Sequence, residues 1–177
     1  RPITATVPKP KVGLNTERYA KVAYEILSGG VDLLKDDENL TSQKFNPFIK
    51  RLDAIMKVID KVENETGERK GYLINITAET KEMIRRAKAV ADYGNNFVMI
   101  DILTAGWAAL QTLREELEDL KLAIHAHRAF HAAFTRNPDH GMSMLMVAKL
   151  ARLIGVDHIH IGVPVGKMEA KVKDVLT

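Results

Sequence analysis

The stretch GGVDLLKDDEN, Gly29 to Asn39, places a lysine and three acids at the end of a short apolar run. Val31, Leu33 and Leu34 follow a Gly-Gly break and predict a buried strand. Lys35 and Asp37 are two apart, so an extended backbone puts them on one side, with Glu38 at the start of the loop. Two carboxylates so close repel each other unless a cation lies between them, and their hard oxygens suit Mg²⁺. A buried lysine loses its proton near neutral pH and becomes a nucleophile. Capture of CO₂ on that amine, as a carbamate, would supply a third anionic oxygen ligand. Taken alone, KDDE fits a solvated, charged loop tip better than a metal site.

Other reactive residues recur along the chain. Pro8 to Lys11 (PKPK) holds Lys9 and Lys11 in a turn stiffened by prolines on both sides of Lys9. HAHRAFH brings His125, His127, Arg128 and His131 together. Three histidines suggest zinc, but the Arg128 cation opposes a metal, and a general base beside an anion-binding arginine fits better. Alternation puts His125 and His127 on one face and Arg128 on the other, unless the strand has ended. DHIHIG repeats the alternation with His158 and His160, and Gly166 gives freedom beside Lys167 in the loop that follows. Singly, each histidine reads as a hydrogen-bonded structural residue. Asp101, polar in the apolar run FVMIDI, is either a paired core acid or a site residue.

These residues need elements to position them. Strands are predicted near residues 3–8, 31–36, 72–77, 97–102, 122–127 and 157–162. Between them run amphipathic helices. The first is capped by Asn15 or Thr16 and stopped at Gly29-Gly30; the second carries Phe45, Phe48, Leu52, Ile55, Ile59 and Val62 and stops at Gly67. Thr80 caps the third, Trp107 to Leu120 line the fourth, and Leu145, Ala148, Leu150 and Leu153 mark the last. Six alternations of strand and helix predict a parallel β/α array. Lys9, Lys11, Lys35, Asp37, Glu38, His127, Arg128, His160 and Lys167 all fall at or just past strand ends, which meet on one face of a β/α barrel. An open sheet with reversed strand order is the alternative.

The chain of 177 residues suits one domain or a piece of a larger one, and its 46% hydrophobic content can bury a substantial core. With 26 basic and 23 acidic residues the net charge is +3, too small to argue for nucleic acid. Zero cysteine excludes disulfides and thiolate metal sites and fits an intracellular, cytoplasmic location. No apolar run is long enough to span a bilayer.

KPKVGL, GGVDLLKDDEN, HAHRAFHA, the NPDHG turn, DHIHIG and VGKME occur in an order and spacing that resembles the large chain of ribulose-1,5-bisphosphate carboxylase/oxygenase, archaeal forms in particular. The resemblance covers essentially the whole chain. It implies a TIM-type (β/α)₈ barrel of which about six strands are present, and a Mg²⁺-dependent carboxylase with an oxygenase side reaction. The substrates would be ribulose 1,5-bisphosphate, CO₂ and O₂, and the product two molecules of 3-phosphoglycerate. It implies Lys35 as the carbamylated lysine, activated by CO₂ and holding Mg²⁺ with Asp37 and Glu38. It implies Lys9 as the residue that begins enolisation, His127 as a second acid/base, and Lys167 as the residue that stabilises the carboxylated transition state. Substrate contacts are implied for Lys11, Arg128, His160 and Asn75. The full protein is expected as a homodimer or larger homo-oligomer, with no nucleic acid or membrane partner.

Departures accompany the resemblance. The family's N-terminal α/β domain and last barrel strands are expected to be absent, so residues 1–177 read as a partial catalytic barrel. Val163 stands where a threonine is usual and Ala170 where a glycine is usual. Two rival readings follow. One is a related enolase or isomerase of sulfur salvage, which shares the metal triad; the other is an inactive fragment with an assembly role. A lid loop carrying Lys167 is expected to stand open without ligand.

Overall fold

The computed structural model describes residues 1–137 and 139–163. Lys167 and the loop expected around it lie outside the described residues. The elements alternate as the periodicity predicts: β1 (Ala5–Thr6), α1 (Thr16–Ser28), β2 (Leu33–Lys35), α2 (Phe48–Thr66), β3 (Gly71–Asn75), α3 (Thr80–Asp92) and β4 (Phe97–Asp101). There follow α4 (Ile102–Ala105), α5 (Trp107–Glu116), a 3₁₀ turn (Glu118–Leu120), β5 (Ala123–His127), α6 (Ala132–Thr135), α7 (Met144–Ile154) and β6 (His158–Ile159).

The six strands form one sheet in the order β1-β2-β3-β4-β5-β6, and every neighbouring pair is parallel. Sequential order rules out the open, doubly wound alternative, in which the order reverses at a switch point. The sheet is also curled. Laid flat, β1 and β5 would lie roughly 19 Å apart, four strand spacings. Instead Ala5 and Thr6 of β1 and His125 and His127 of β5 line one cavity. The described residues therefore form a curled, partial β/α barrel, and eight-strand closure is not seen among them.

Local sequence accounts for the elements. The Asn15 side chain accepts the Arg18 N–H at 2.9 Å and starts α1. Gly67, at φ 71°, supplies the left-handed residue that ends α2. All five residues of β3 are buried, as expected for a parallel strand covered on both faces. Leu27, Leu52, Ile55 and Val62 pack helices α1 and α2 onto Leu34, Tyr72 and Ile74 of the sheet. Each such aliphatic side chain contributes about 1.5–3 kcal/mol on full burial.

Several expectations are corrected. The strands are shorter than predicted, with β1 and β6 reduced to two residues each. Helix α2 begins at Phe48, and Phe45 lies before it, 40% exposed. Glu79 rather than Thr80 caps α3, its carboxylate accepting the N–H groups of Lys81 and Glu82. The helix expected to run on from Trp107 to Leu120 stops at Glu116 and gives way to the 3₁₀ turn. It is preceded by a separate turn, α4, because Gly106 at φ 93° breaks the chain. On α7 the inward residues are Val147 and Ala151, while Leu153 is 83% exposed.

Candidate active site

The carboxyl ends of the strands enclose a cavity of about 690 Å³. Lys9, Lys11, Lys35, Asp37, Glu38, His125, His127, Arg128, His131 and His160 all line it. A cleft of about 530 Å³ opens elsewhere, between α2 and the start of β4, but none of the predicted site residues lines it.

Strand β2 builds the acidic corner. Alternation sends Leu34 and Asp36 toward the helices, and Lys35 and Asp37 into the cavity. Lys35 is buried, and its Nζ donates to the Asp36 carbonyl at 2.8 Å. Burial pushes its pKa below the ordinary lysine range, and the surrounding Glu38, Asp36, Asp101 and Asp37 only partly restore it. Burial alone would raise Asp37. The Asn39 backbone N–H at 3.0 Å, the Asn39 amide at 2.9 Å and Lys9 Nζ at 3.4 Å outweigh it and hold Asp37 below the usual carboxylate range. The Lys9 side chain is 66% exposed, so its pairing with Asp37 is largely screened.

Asn75 has both ends of its amide engaged by protein. Its Nδ2 donates to the Glu38 carbonyl at 3.0 Å, and its Oδ1 accepts from Thr77 Oγ1 at 2.6 Å. Thr77 Oγ1 in turn accepts the Asp101 N–H at 2.9 Å.

Strands β5 and β6 supply the histidines. His127 is buried, with Nε2 at 3.8 Å from Glu38 Oε2 and Nδ1 at 3.2 Å from Asp101 Oδ1. The Ala129 N–H also points at Nδ1, 3.1 Å away. Nδ1 therefore serves either as acceptor to Ala129 or as donor to Asp101, and the choice fixes the tautomer. This geometry answers the question left open for Asp101: it is a buried acid beside a site histidine. The His160 ring lies 5.3 Å from the His127 ring, centroid to centroid. Burial, then His127 and Lys35, lower His160 to about 4. Burial, then Lys35, lower His125 to about 3. Both rings are neutral at pH 7.

Arg128 is the cationic wall. It is 2% exposed, and neither its Nε nor its Nη2 has a partner among the described residues. Its position departs from simple alternation because β5 ends at His127 and the chain turns there. Phe130, two residues on, takes φ 72°, an uncommon conformation for a large side chain and one that clusters at functional loops.

Sequence reasoning passed over Asp36, Tyr19, Arg51 and Tyr72, which form one buried network behind the acidic corner. The available signal was Arg51 itself, three residues after Phe48 on the apolar face of α2. Lys167 falls outside the described residues.

Parallel β/α units in sequential order, with lysines, acids, histidines and an unpaired arginine at the carboxyl rim, define a barrel-type β/α protein with its site where that class carries it. Comparison with known proteins gives the family. Residues 1–177 match the description "Ribulose bisphosphate carboxylase large chain, catalytic domain", and the chain belongs to that family. It is 60% identical to the ribulose bisphosphate carboxylase of Methanosarcina barkeri over 178 residues, covering 100% of this chain and 42% of that one. With the Pyrococcus horikoshii protein of the same name it shares 61% over 175 residues, covering 99% of this chain and 41% of the relative. The octameric enzyme of that organism superposes with a TM-score of 0.95, over 99% of this chain and 41% of the other. A dimeric archaeal Rubisco from Hyperthermus butylicus, 65% identical, superposes with a TM-score of 0.93 over 99% and 40%. The chain thus spans about two fifths of the length of the relatives it matches. Among the described residues no helix is long and apolar enough to cross a membrane.

Proposed function

We propose that this chain is the larger part of the catalytic barrel of a ribulose-bisphosphate carboxylase, adding CO₂ to ribulose 1,5-bisphosphate to give two molecules of 3-phosphoglycerate, with an oxygenase side reaction. The complete protein would close the barrel with eight strands and assemble as a homo-oligomer, as the octameric and dimeric relatives do. The observation that carries the reading is Arg128: a buried guanidinium with two unsatisfied nitrogens, facing the same cavity as a buried lysine flanked by carboxylates. A cation in that state is a receptor for a phosphate oxygen.

The acidic corner fits Mg²⁺ only with help. Among the described residues no three His, Cys, Asp or Glu side chains gather closely enough to hold a metal ion. Asp37 and Glu38 give two hard oxygen donors, and Lys35, buried beside them in the same cavity, can add a third. Its depressed pKa favours the free amine. That amine attacks CO₂, a C–N bond forms, the nitrogen loses a proton, and the resulting carbamate carries a negative oxygen. Lys35, Asp37 and Glu38 would then hold Mg²⁺, which polarises the ketose and stabilises the charge that develops on its oxygens. Lys9 would move the proton that begins enolisation. His127 acts as a second acid/base, its Nδ1 held by the Ala129 N–H or by Asp101. Arg128, Lys11 and His160 bind and orient the substrate, Arg128 at a phosphate. Asn75 contributes by holding the Glu38 backbone. Lys167 would neutralise the carboxylated transition state.

The test is fixation of labelled CO₂ into 3-phosphoglycerate by the full-length gene product. Product formation is expected. Intact CO₂-dependent Mg²⁺ binding with no fixation would transfer the assignment to the enolase or isomerase class.

A further inference from the structure

Asp36 lies between Lys35 and Asp37, yet its side chain leaves by the opposite face. It is fully buried, at 0% exposure. Its Oδ1 accepts from Tyr72 Oη at 2.6 Å and Tyr19 Oη at 2.7 Å. Its Oδ2 accepts from the Asn75 backbone N–H at 3.0 Å and from Arg51 Nε at 3.2 Å. The donors come from α1, α2 and β3, so one carboxylate ties three elements together. Arg51 extends the tie, with Nη1 donating to the Asn46 carbonyl at 2.8 Å and Nη2 to the Thr41 carbonyl at 2.7 Å. The chain is thus pinned just before Asp37 and again just after Glu38.

The strand alone cannot do this. Strand β2 has only three residues in register with β3, and its last ladder bond is from the Asp36 N–H to the Leu73 carbonyl. A slip of one residue in a strand sends every side chain to the other face. Here it would turn Lys35 and Asp37 away from the cavity. Nor is stability a sufficient reason for the network, because a buried ion pair is often replaced by apolar residues at no cost or with a gain.

We propose that Asp36 is a positioning residue for the metal-binding strand end: locked among Tyr19, Tyr72, Arg51 and the Asn75 amide, it fixes the backbone on which Lys35, Asp37 and Glu38 face one point. This rests on the Mg²⁺ reading given above.

The test uses the full-length protein and the double variant Tyr19→Phe/Tyr72→Phe. It removes both donors from Oδ1, keeps the ring volumes, and leaves Arg51 and Asn75 on Oδ2. Mg²⁺ alone is titrated by calorimetry in bicarbonate-containing buffer, inorganic phosphate is titrated separately, and thermal unfolding is recorded. Mg²⁺ affinity is expected to fall about 10–100-fold, the effect typical of groups that orient metal ligands. Phosphate affinity should not change, because Arg128 follows a different strand, β5. Asp36→Asn should weaken Mg²⁺ in the same direction, and the double variant decides the matter if Asp36→Asn fails to fold. Parental Mg²⁺ affinity in a variant that melts earlier would overturn the proposal and leave Asp36 a purely structural acid. A parent protein that binds no Mg²⁺ in bicarbonate overturns the metal reading and this inference with it; the parent titration separates that failure from the first.

Discussion

Replacing Arg128 by methionine should make the ligand-free protein more stable and its phosphate site weaker. Methionine keeps much of the length and removes the charge. In the free protein the guanidinium is 2% exposed with Nε and Nη2 unsatisfied. A buried polar group in that state costs about 1–3 kcal/mol, more when charged. Removing it should therefore stabilise the free protein by at least about 1–3 kcal/mol, read as a rise in melting temperature. The bound state behaves oppositely. Two N–H groups to a phosphate, at about 1.5–3 kcal/mol per charged hydrogen bond, are together worth about 3–6 kcal/mol. That predicts a loss of roughly 10²–10⁴-fold in affinity. Thermal unfolding of the full-length protein in phosphate-free buffer measures the first effect, and calorimetric titration with ribulose 1,5-bisphosphate, the proposed substrate, measures the second. A variant that melts earlier than the parent, or binds the bisphosphate equally well, refutes the view of Arg128 as an anion receptor held at a cost in stability.

Lys35→Ala should remove CO₂-dependent Mg²⁺ binding in calorimetry, since it deletes the buried amine beside Asp37; undiminished binding would contradict the carbamate. His125→Gln should flatten the acid side of the stability profile. His125 falls from an ordinary 6.5 to about 3 in the fold, so the unfolded chain binds the extra proton between those values. Stability is thus fully present above about 6.5 and declines as pH falls toward 3, a slope that urea titrations across that range would reveal in the parent and find reduced in the variant. Lys167→Ala should abolish carboxylation and largely spare proton exchange at the substrate's C3; equal loss of both would deny it a separate role. Gly71→Ala should destabilise by about 1–3 kcal/mol through overpacking, because a Cβ there would sit 2.7 Å from Leu33 Cδ2 and 2.8 Å from Phe97 Cε2; an unchanged denaturation midpoint would count against it.

The alternation of strands and helices was legible because apolar periodicity reports burial directly, and stop signals such as Gly67 act through local backbone alone. Where two neighbours both suited a role, local signal could not choose. Glu79 and Thr80 can each cap α3, and the carboxylate took the place. On α7 the sequence marked apolar residues but no inner side, because that helix is apolar nearly all round. Within the site, the two-residue step from Lys35 to Asp37 survived intact. For Arg128 the stated exception to alternation holds: the strand ends at His127, and a chain that has left the ladder no longer alternates. The Asp36 network was invisible for a different reason. Its members lie 15 to 39 positions from Asp36 along the chain, and only the packed fold makes them neighbours.

The sequential order of the strands bears on how such a chain comes to be folded at all. Each strand after the first finds one hydrogen-bonding neighbour in the β/α unit just made. Assembly can therefore proceed vectorially during synthesis, each new unit docking on an edge that already exists. The Asp36 carboxylate is the exception that sets a checkpoint. Its set of donors is incomplete until α2 delivers Arg51 and β3 delivers Tyr72, so the acidic corner reaches its final shape only after the third strand has docked.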